Sequence, residues 1–387
     1  METLNVYYAV NELGNGHAYR TIKVSEQLIE RGHTVTFFTS HPAIQRRFGD
    51  SCKIYKCPPV SWYEDRNGIN VPLSVLNIFF PMTAYDYESN RWYIKSSSAS
   101  KTMSRYYDIR SFARKERPDV VVTDGDLLMA RWAQRRGIRT VNITNETRPY
   151  YNLIEQLFLQ PGQYIAEQKF KSSKILVPDI KKPYTICELN LRGMLRADTD
   201  TGAGIGADIE LVGSYFRTNE KPRDENFIYF SISGSFGTRN KLENRFLPEL
   251  YDFGCEVVAS LGDEKRSATQ RGSVAKHGWL NSDERIRCMR DASIIIHSAS
   301  HNTSMETLSY GKPSVCIPTQ PEQRGNAKKL ELLGCAVVVE DPKRLKDAIR
   351  KIGDDYDFYR SHAEKIGRMV NSADGVARTV EIIENSS

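Results

Sequence analysis

An alternation of strand-like and helix-like segments runs through this chain twice, and it limits the fold more than any other feature. In the first half, an apolar strand pattern over Leu4 to Val10 precedes a helical pattern over His17 to Arg31 and a second strand over His33 to Ser40. The same order returns between Asp119 and Thr144. Strands that alternate with helices form parallel sheets with helices on both faces. The sequence therefore predicts a doubly wound α/β fold.

The second half repeats the alternation after a charged segment, Arg217 to Asn226, that is typical of a linker. Its predicted strands are Phe227–Ser231, Cys255–Leu261, Ser293–Ile296, Ser314–Pro318 and Ala336–Glu340, and helices are predicted over 357–383. We therefore expect two domains, 1–216 and 217–365.

Composition narrows the class of protein. The 387 residues are 40% hydrophobic and 26% charged, which is ordinary for a soluble globular protein. The longest apolar stretch, Val71 to Tyr85, is interrupted by two prolines and is too short to span a bilayer, and the amino terminus lacks the features of a signal peptide. We expect a cytoplasmic protein.

Charge and cysteine usage indicate what the protein binds. The net charge of +6 suits an anionic partner such as a nucleotide, a phosphate-bearing acceptor or a membrane surface, but no aromatic-basic motif for nucleic acid is present. The seven cysteines are scattered and odd in number, without the spacing of a disulfide framework or a zinc site. Neither a metal ion nor a cofactor is expected.

The segment 293–327 carries the clearest functional signal. An apolar, β-branched run ends in small polar residues, of which Ser300, Asn302 and Thr303 are competent helix N-caps, and Glu306 follows Thr303 at the capping-box spacing. A helix that begins beyond a parallel strand points free N–H groups into the ligand crevice of such a sheet. The pattern predicts a phosphate site, unless Glu306 only caps the helix.

The next strand leads from this helix to a second group of polar residues. Gly311 and Pro313 end the predicted helix, and the exit of the strand carries Glu322, Gln323 and Asn326. These side chains suit hydrogen bonding to sugar hydroxyls. Alternatively, Glu322 and Gln323 only open the next helix.

This segment resembles a motif of the UDP-glycosyltransferases and of the bacterial enzyme that adds N-acetylglucosamine to lipid-linked muramyl peptide. Those proteins carry a Gly-rich turn, a Glu, Gly-x-Pro, and then Pro-x-x-x-Asp-Gln-x-x-Asn-Ala. This chain has Glu306, Gly311-Lys312-Pro313, and then Pro318 followed by Glu322-Gln323-x-x-Asn326-Ala327. The resemblance implies the GT-B architecture, two Rossmann-like domains facing a cleft, with a terminal helix over 366–387 that crosses back to the first domain.

The resemblance also implies a donor site in the second domain. Ser233-Gly234-Ser235 resembles the family's phosphate-side loop, and Trp279-Leu280 resembles the segment that holds uracil, where a tryptophan face can stack on the base. Glu306 would accept hydrogen bonds from the ribose, and Glu322 and Gln323 would hold the donor sugar. The alternatives are a simple strand-to-helix turn at 233–235 and a core tryptophan at 279.

The match departs from the family where the phosphates bind. Aligned back from Glu306, the family's phosphate-contacting His or Arg falls on Ser298, and a turn glycine falls on Ser300. A non-glycine turn without its cation puts the usual pyrophosphate contact in doubt. We expect His301, in the first turn of the predicted helix, to supply the donor that Ser298 cannot.

The loop after the first strand contains Gly14 and Gly16, which permit a tight turn and a close approach of the donor. Tyr19 stands where the dinucleotide fingerprint needs a third glycine, so NAD binding is not supported.

The resemblance further implies that His17, at the end of this loop, deprotonates the acceptor hydroxyl while a carboxylate after a later strand orients it. Asp124 is expected to be that carboxylate, and Asp126 fits the same place. Alternatively, His17 caps its helix or bonds a backbone carbonyl, and Asp124 caps the helix that follows it.

Between Trp62 and Tyr107 the alternation gives way to an irregular, aromatic-rich stretch. Such insertions in α/β enzymes carry specificity or cover a site, although a plain packing insert fits equally well. Phe79 and Phe80, beside Arg91 and Lys95, could contact the acceptor, dock on a lipid or membrane surface, or belong to the core.

Together these patterns predict an inverting, metal-independent glycosyltransferase that moves a sugar from a UDP-sugar to a hydroxyl acceptor. A lipid-linked acceptor and a peripheral membrane contact are among the options. Two rivals stay open: a UDP-sugar epimerase or hydrolase on the same fold, and a non-catalytic nucleotide-sugar-binding subunit. Ser298 and Ser300 motivate the second rival.

Overall fold

The computed structural model of the chain describes residues 2–10, 15–57, 63–65, 68–86, 90–113, 116–153, 155–156, 174–191 and 208–385. Gly14, one of the expected donor-binding residues, lies outside these ranges.

Strands and helices alternate much as the sequence predicts. The strands are β1 (Asn5–Val10), β2 (Thr34–Phe38), β3 (Lys53–Tyr55), β4 (Glu64–Asp65), β5 (Gly68–Ile69), β6 (Met82–Asp86), β7 (Arg91–Lys95), β8 (Val120–Asp124), β9 (Arg139–Ile143), β10 (Lys174–Val177), β11 (Asp208–Leu211), β12 (Glu225–Ser231), β13 (Glu256–Ser260), β14 (Thr269–Arg271), β15 (Val274–His277), β16 (Ala292–His297), β17 (Ser314–Cys316) and β18 (Ala336–Val338). The α-helices are α1 (Asn15–Glu30), α2 (Pro42–Phe48), α3 (Val71–Phe79), α4 (Ser98–Phe112), α5 (Leu127–Gln134), α6 (Phe236–Lys241), α7 (Ser282–Asp291), α8 (His301–Ser309), α9 (Pro321–Leu332), α10 (Leu345–Asp354), α11 (Tyr356–Ser372) and α12 (Gly375–Asn385).

Two seven-stranded sheets form the framework, one in each half of the chain. The first has the order β11-β10-β9-β8-β1-β2-β3, and all the pairings between its described strands are parallel. The second has the order β14-β15-β13-β12-β16-β17-β18, and only β14 runs antiparallel to its neighbour. The strand order reverses between β1 and β8 and between β12 and β16, so a crevice opens beyond the carboxyl ends of these strands.

Apolar residues cover both faces of each sheet. Val6, Tyr8 and Val122 belong to the cluster on one face of the first sheet, whereas Tyr7 and Val121 belong to the cluster on the other. This switch between adjacent residues follows from the two-residue period of a strand, and it explains why the central strands are apolar throughout.

The aromatic-rich stretch is more regular than its sequence suggests. It contains the β4–β5 hairpin, α3, the β6–β7 hairpin and α4. Pro72 lies in the first turn of α3, where a missing N–H costs little. Pro81 follows the end of α3 and separates it from β6.

The chain ends by crossing back to the first domain. Helix α11 packs on α8 of the second domain, and Ala373 and Asp374 separate it from α12, which packs against α1. Val380 and Ile383 of α12 are fully buried in the core of the first sheet. The crossing helix implied by the resemblance is therefore present, and it begins at Gly375.

No helix in the described part of the chain is both long enough and apolar enough to cross a membrane.

Candidate active site

The two sheet crevices face each other, and described side chains bridge them. Asn302 Nδ2, at the start of α8, donates to the backbone oxygen of Gly16 at 3.0 Å. Asn145 Nδ2, after β9, donates to Glu322 Oε1 at 2.8 Å. The predicted loops of both halves thus line one cleft.

His17 and Asp124 form a close pair on the first-domain wall. His17 Nδ1 lies 2.6 Å from Asp124 Oδ1, and 26% of the His17 side chain is exposed to the cleft. Burial alone would raise the pKa of Asp124, but Arg20 and His17 lower it to about 2. An ionised carboxylate only accepts, so Nδ1 donates in this contact, and in the neutral imidazole the other ring nitrogen, Nε2, is then the acceptor. This tautomer can accept a proton at Nε2, as a general base must.

Asp126, the other candidate partner, has a different environment. Its Oδ1 accepts from the backbone N–H groups of Leu128 and Met129, both at 3.0 Å, and so caps α5. Its Oδ2 pairs with the buried Arg105. Asp126 therefore caps a helix, which is the role that the sequence left open for Asp124.

Arg20 of α1, which was not among the predicted site residues, contacts both His17 and Asp124. Its Nε and Nη2 donate to the two carboxylate oxygens of Asp124 at 2.9 and 2.7 Å, and the residue is only 3% exposed. Its Nη1 donates to Asn145 Oδ1 at 3.2 Å. A sequence signal existed, because Arg20 lies one helical turn after His17 and so on the same face of α1.

The second-domain wall is built around the start of α8. Ser300 is the N-cap residue, but its hydroxyl lies 2.9 Å from Thr303 Oγ1, and no described side chain caps the amides of this helix. A helix that starts uncapped beside a cleft leaves N–H groups for an anion. Ser298 is 1% exposed, so its side chain is buried rather than open to the cleft.

The strained position of this turn is Ala299, not Ser300. Ala299 has a φ of 60°, in the left-handed region, whereas Ser300 has an ordinary φ of −60°. Two contacts hold the turn: Ala299 N–H donates to His297 Nδ1 at 3.0 Å, and Asn326 Nδ2 donates to the carbonyl oxygen of Ala299 at 3.0 Å. Burial lowers the pKa of His297 to about 4, so its Nδ1 is available as an acceptor. Position 300 therefore does not require a glycine, because its backbone conformation is one that serine adopts readily.

The structure does not support a phosphate contact by the side chain of His301. Its Nε2 lies 3.0 Å from Asp179 Oδ2, and the residue is 3% exposed. Its Nδ1 is buried and has no hydrogen-bond partner among the described residues. The imidazole turns from the helix start towards the loop after β10, which a sequence pattern cannot reveal.

Asp179, Cys187 and His301 bring three potential metal-ligand atoms within 4.8 Å of one another. Asp179 already accepts hydrogen bonds from the backbone of Ile180 at 2.7 Å and of Cys187 at 2.9 Å. Burial raises the pKa of the Cys187 thiol well above its usual value, and Asp179 adds to this effect. The group is organised as a hydrogen-bond network between the two domains.

Glu306 does not cap α8. Both of its oxygens pair with Arg285 of α7, one of them at 2.7 Å from Arg285 Nη1, and its side chain is 10% exposed. A carboxylate retains further lone pairs in such a pair, so Glu306 can still accept from a diol.

Trp279 and Leu280 differ in environment although they are neighbours. Trp279 is 49% exposed, whereas Leu280 is 6% exposed and packs in a core cluster of the second domain. Trp279 is therefore not a core tryptophan, and its exposed ring is open to stacking.

The loop after β12 leads into the short helix α6. Gly234 has a φ of 109°, a conformation that side chains rarely adopt, and Ser235 is the N-cap. Ser233 precedes them, two residues after the end of β12. Glu64 of β4 hydrogen bonds to Ser235, and burial raises the pKa of this carboxyl.

The polar residues after β17 contact the first domain. Glu322 Oε1 accepts from Asn326 Nδ2 at 2.6 Å as well as from Asn145, and Asn190 Nδ2 donates to the backbone oxygen of Glu322 at 2.9 Å. Burial raises the pKa of Glu322 to about 8, and Glu146 adds to this effect.

Gln323 is buried, and its side-chain oxygen contacts Thr319. It is 5% exposed, and its Oε1 accepts from the backbone N–H and the hydroxyl of Thr319 at 2.9 and 2.8 Å. It therefore shapes the loop that leads into α9.

Comparison with known proteins places this cleft in a wider group. Residues 256–374 match the model of the glycosyltransferase family 28 C-terminal domain. An uncharacterized glycosyltransferase from Methanosarcina acetivorans is 25% identical over 296 residues, which are 70% of this chain and 74% of that protein. The NDP-glycosyltransferase YjiC of Bacillus subtilis is 19% identical over an alignment covering 97% of this chain and 95% of YjiC.

Among solved structures, the Streptomyces sp. SF2575 glycosyltransferase SsfS6, complexed with thymidine diphosphate, superposes with a TM-score of 0.64 at 16% identity. The match covers 99% of this chain and 100% of that one. The GT-B fold predicted from the sequence is confirmed.

Proposed function

We propose that this chain, a glycosyltransferase with the GT-B fold, transfers a sugar from UDP to a hydroxyl acceptor with inversion at the anomeric carbon. The family match and the names of the relatives give the class of enzyme. They favour transfer over the isomerisation or hydrolysis that the sequence left open. One observation carries the proposal: the His17–Asp124 pair stands across the cleft from the uncapped start of α8.

The base and the leaving group belong on opposite walls of the cleft. His17 Nε2 takes the proton of the acceptor hydroxyl while that oxygen attacks the anomeric carbon. The bond from the anomeric carbon to the phosphate oxygen breaks on the far side, where the amides of α8 face the cleft. Attack and departure on opposite faces of the sugar produce inversion.

The diphosphate is held by helix starts in this proposal, so a metal ion is not required. Helices α8 and α9 both open towards the cleft without a described side-chain cap. Their N–H groups and positive dipole ends stabilise the charge that develops on the departing UDP. Trp279 stacks on the uracil, Glu306 accepts from the ribose, and Glu322 bonds the sugar.

We assign the acceptor site to an apolar patch formed by α3 and the β6–β7 hairpin. Its exposed members are Leu76 at 51%, Phe79 at 71%, Phe80 at 62%, Trp92 at 70% and Ile94 at 76%. Helix α3 begins two residues after β5, and β5 packs on α6 across the cleft. A patch of this kind beside a cleft marks a binding site, and it suits an acceptor with an apolar part.

Replacing His17 tests the proposed base. His17→Ala should abolish transfer and retain UDP binding, because the base contributes roughly 10²- to 10⁴-fold and the donor lies on the other wall. A panel of UDP-sugars with 4-alkylphenols as acceptors supplies the assay, with UDP release as the readout. His362→Ala, on α11 away from the cleft, is the matched control. Full activity of His17→Ala would refute the proposed mechanism.

The same phenols test the acceptor site. With the parent protein, the acceptor KM should fall as the alkyl chain lengthens, and the double variant Phe79→Ser, Phe80→Ser should remove this dependence. Leu332→Ser, at a residue 66% exposed on α9, is the control. A KM independent of chain length would contradict the assignment. Loss of retention on anionic vesicles with unchanged phenol kinetics would instead make the patch a membrane contact.

A further inference from the structure

Arg20 carries a buried positive charge that has no role in the proposed reaction as described above. Burying a guanidinium is costly unless it is paired and its N–H groups are satisfied. Arg20 meets these conditions with partners from two other elements: Asp124 at the end of β8 and Asn145 after β9.

Asn145 continues the contact into the second domain. A guanidinium only donates, so the amide oxygen of Asn145 must face Arg20 and its Nδ2 must face away. That nitrogen donates to Glu322 Oε1 at 2.8 Å. A continuous bridge thus runs from His17 through Asp124, Arg20 and Asn145 to Glu322, and it joins the base on one wall to the sugar-binding carboxylate on the other.

We infer that Arg20 is a positioning residue that offsets the charge of Asp124 and holds this carboxylate against Nδ1 of His17, and that, through Asn145, Arg20 links the base to Glu322 and the donor. This inference rests on the proposed function, because it gives meaning to the bridge only if His17 is the base.

The first task follows from the charges around His17. A lone carboxylate 2.6 Å from an imidazole favours the imidazolium form, which cannot accept a proton. The bidentate Arg20 neutralises Asp124 without displacing it. The other titratable groups near the pair are Tyr8 of β1 and Tyr215, whose pKa values burial raises so that both stay uncharged, and Glu322 from the second domain.

Across the cleft, the uncharged amide of Asn302 contacts the backbone of Gly16, and the paired Glu306 and Arg285 face Tyr19 of α1. Among the described contacts, Arg20 is therefore the cation that balances Asp124.

The second task follows from where Glu322 lies. Its Oε1 already accepts from two amides, Asn145 and Asn326, so its other oxygen is the one left for the donor sugar. Tightening of Glu322 on a bound sugar pulls on Asn145 and thereby on the orientation of Arg20 and Asp124. The base is then best aligned when the donor is in place.

The pH dependence of kcat/KM separates this role from a merely structural one. In Arg20→Gln the acidic limb of the profile should move up by about one pH unit or more, because Asp124 is no longer balanced. Activity at pH 7 should fall, by up to about tenfold for each unit by which the limb moves beyond pH 7, and should recover as the pH rises. Arg20→Lys, which keeps the charge, should keep the limb within about 0.3 units even if the rate falls.

Thermal unfolding and UDP binding of both variants check that the fold persists. A loss in Arg20→Gln that is equal at every pH would overturn the charge role.

A double-mutant cycle tests the link to the donor. Asn145→Ala and Glu322→Gln, assayed for kcat at saturating donor, should each lower the rate, and the double variant should be no worse than about twofold below the poorer single one. Effects that multiply would overturn the link. Full activity of His17→Ala refutes the proposed function itself, whereas an inactive His17→Ala beside an unshifted Arg20→Gln profile refutes this inference alone.

Discussion

Strand β8 in the first domain and strand β16 in the second each end at the crevice and are followed by a helix. The two helices, α5 and α8, begin in opposite ways. After β8, Asp126 caps α5 with a carboxylate that accepts from two backbone amides. After β16, Ser300 begins α8 without capping it. The first helix start is closed and carries a negative charge, whereas the second is left open. The connection after β8 thus carries the carboxylate that orients the proposed base, whereas the connection after β16 leaves backbone amides for an anion.

The side chains nearby differ in the same sense. On the first wall, Arg20 donates to both carboxylate oxygens of Asp124, and both residues are buried. On the second wall, Trp279 and Ser300 keep exposed surface. Pairing fixes the geometry of a base, and open groups receive a ligand.

Replacing each of the two carboxylates that follow β8, one at a time, should give the largest difference in kcat between variants. Asp124→Asn should lower kcat roughly 10²- to 10⁴-fold, because His17 loses its orienting partner. Asp126→Ala should leave the rate within about threefold and destabilise the fold by about 3 to 5 kcal/mol, because Arg105 loses its buried partner. Steady-state kinetics and urea unfolding measure the two effects. Equal losses of rate would erase the distinction between the two carboxylates.

The second-domain wall of the cleft can be tested where it is proposed to bind the uracil ring. Trp279→Ala should weaken UDP binding by about 1 to 3 kcal/mol, roughly 5- to 150-fold, with little change in stability because the ring is half exposed. Calorimetric titration with UDP gives the value. Trp92→Ala removes an exposed ring at the acceptor patch, 70% exposed against 49% for Trp279, and should leave UDP affinity unchanged. Undiminished UDP affinity in Trp279→Ala would remove it from the donor site.

Ser300→Asp should make α8 begin as α5 does. An aspartate at the N-cap adds about 0.3 to 1 kcal/mol of stability through the helix dipole. The same charge should repel the diphosphate and weaken UDP binding about tenfold or more. Ser97→Asp, at the capped start of α4, should give the stability gain alone. If both variants bind UDP like the parent, the start of α8 is not a phosphate site.

The smallest expected effect is a pH-dependent change in the stability that Glu322 contributes. Its pKa is raised from an ordinary 4.5 to about 8, so the folded state keeps a proton that the unfolded state releases. Stability present below pH 4.5 is therefore lost as the pH rises towards 8. Glu322→Gln carries no such proton, so its melting temperature relative to the parent should increase from pH 5 to pH 8. A constant difference would show that Glu322 ionises normally.

The fold and much of the second wall could be predicted from the sequence, because local patterns specify them. The alternation of apolar strands and capped or glycine-ended helices gave both sheets, and small polar residues after β16 marked the start of α8. The expected pairing of His17 with a carboxylate after a later strand was specific enough to place it beside β8, but it did not separate Asp124 from Asp126. That choice depends on which carboxylate faces Arg20 and which faces the amides of α5.

Other details depend on side-chain contacts and backbone angles that the sequence pattern does not show. The imidazole of His301, expected to contact the phosphates, pairs with Asp179, which lies 122 positions away in the chain. The side-chain oxygen of Gln323, expected at the sugar, accepts from Thr319. Ser300 stands where the family has a turn glycine, whereas Ala299 takes the left-handed conformation in this structure.

The sequence by itself determined the two α/β domains, the loops that line their crevices and the kinds of groups those loops carry. Such features follow from the periodicity of neighbouring residues, which each segment carries wherever it lies. Only the tertiary structure decided which groups meet: Arg20 with Asp124, 104 positions apart, and Asn145 with Glu322, 177 positions apart. Hydrogen bonds and ion pairs form between specific atoms at about 3 Å, and this proximity is a property of the packed domains rather than of any local pattern.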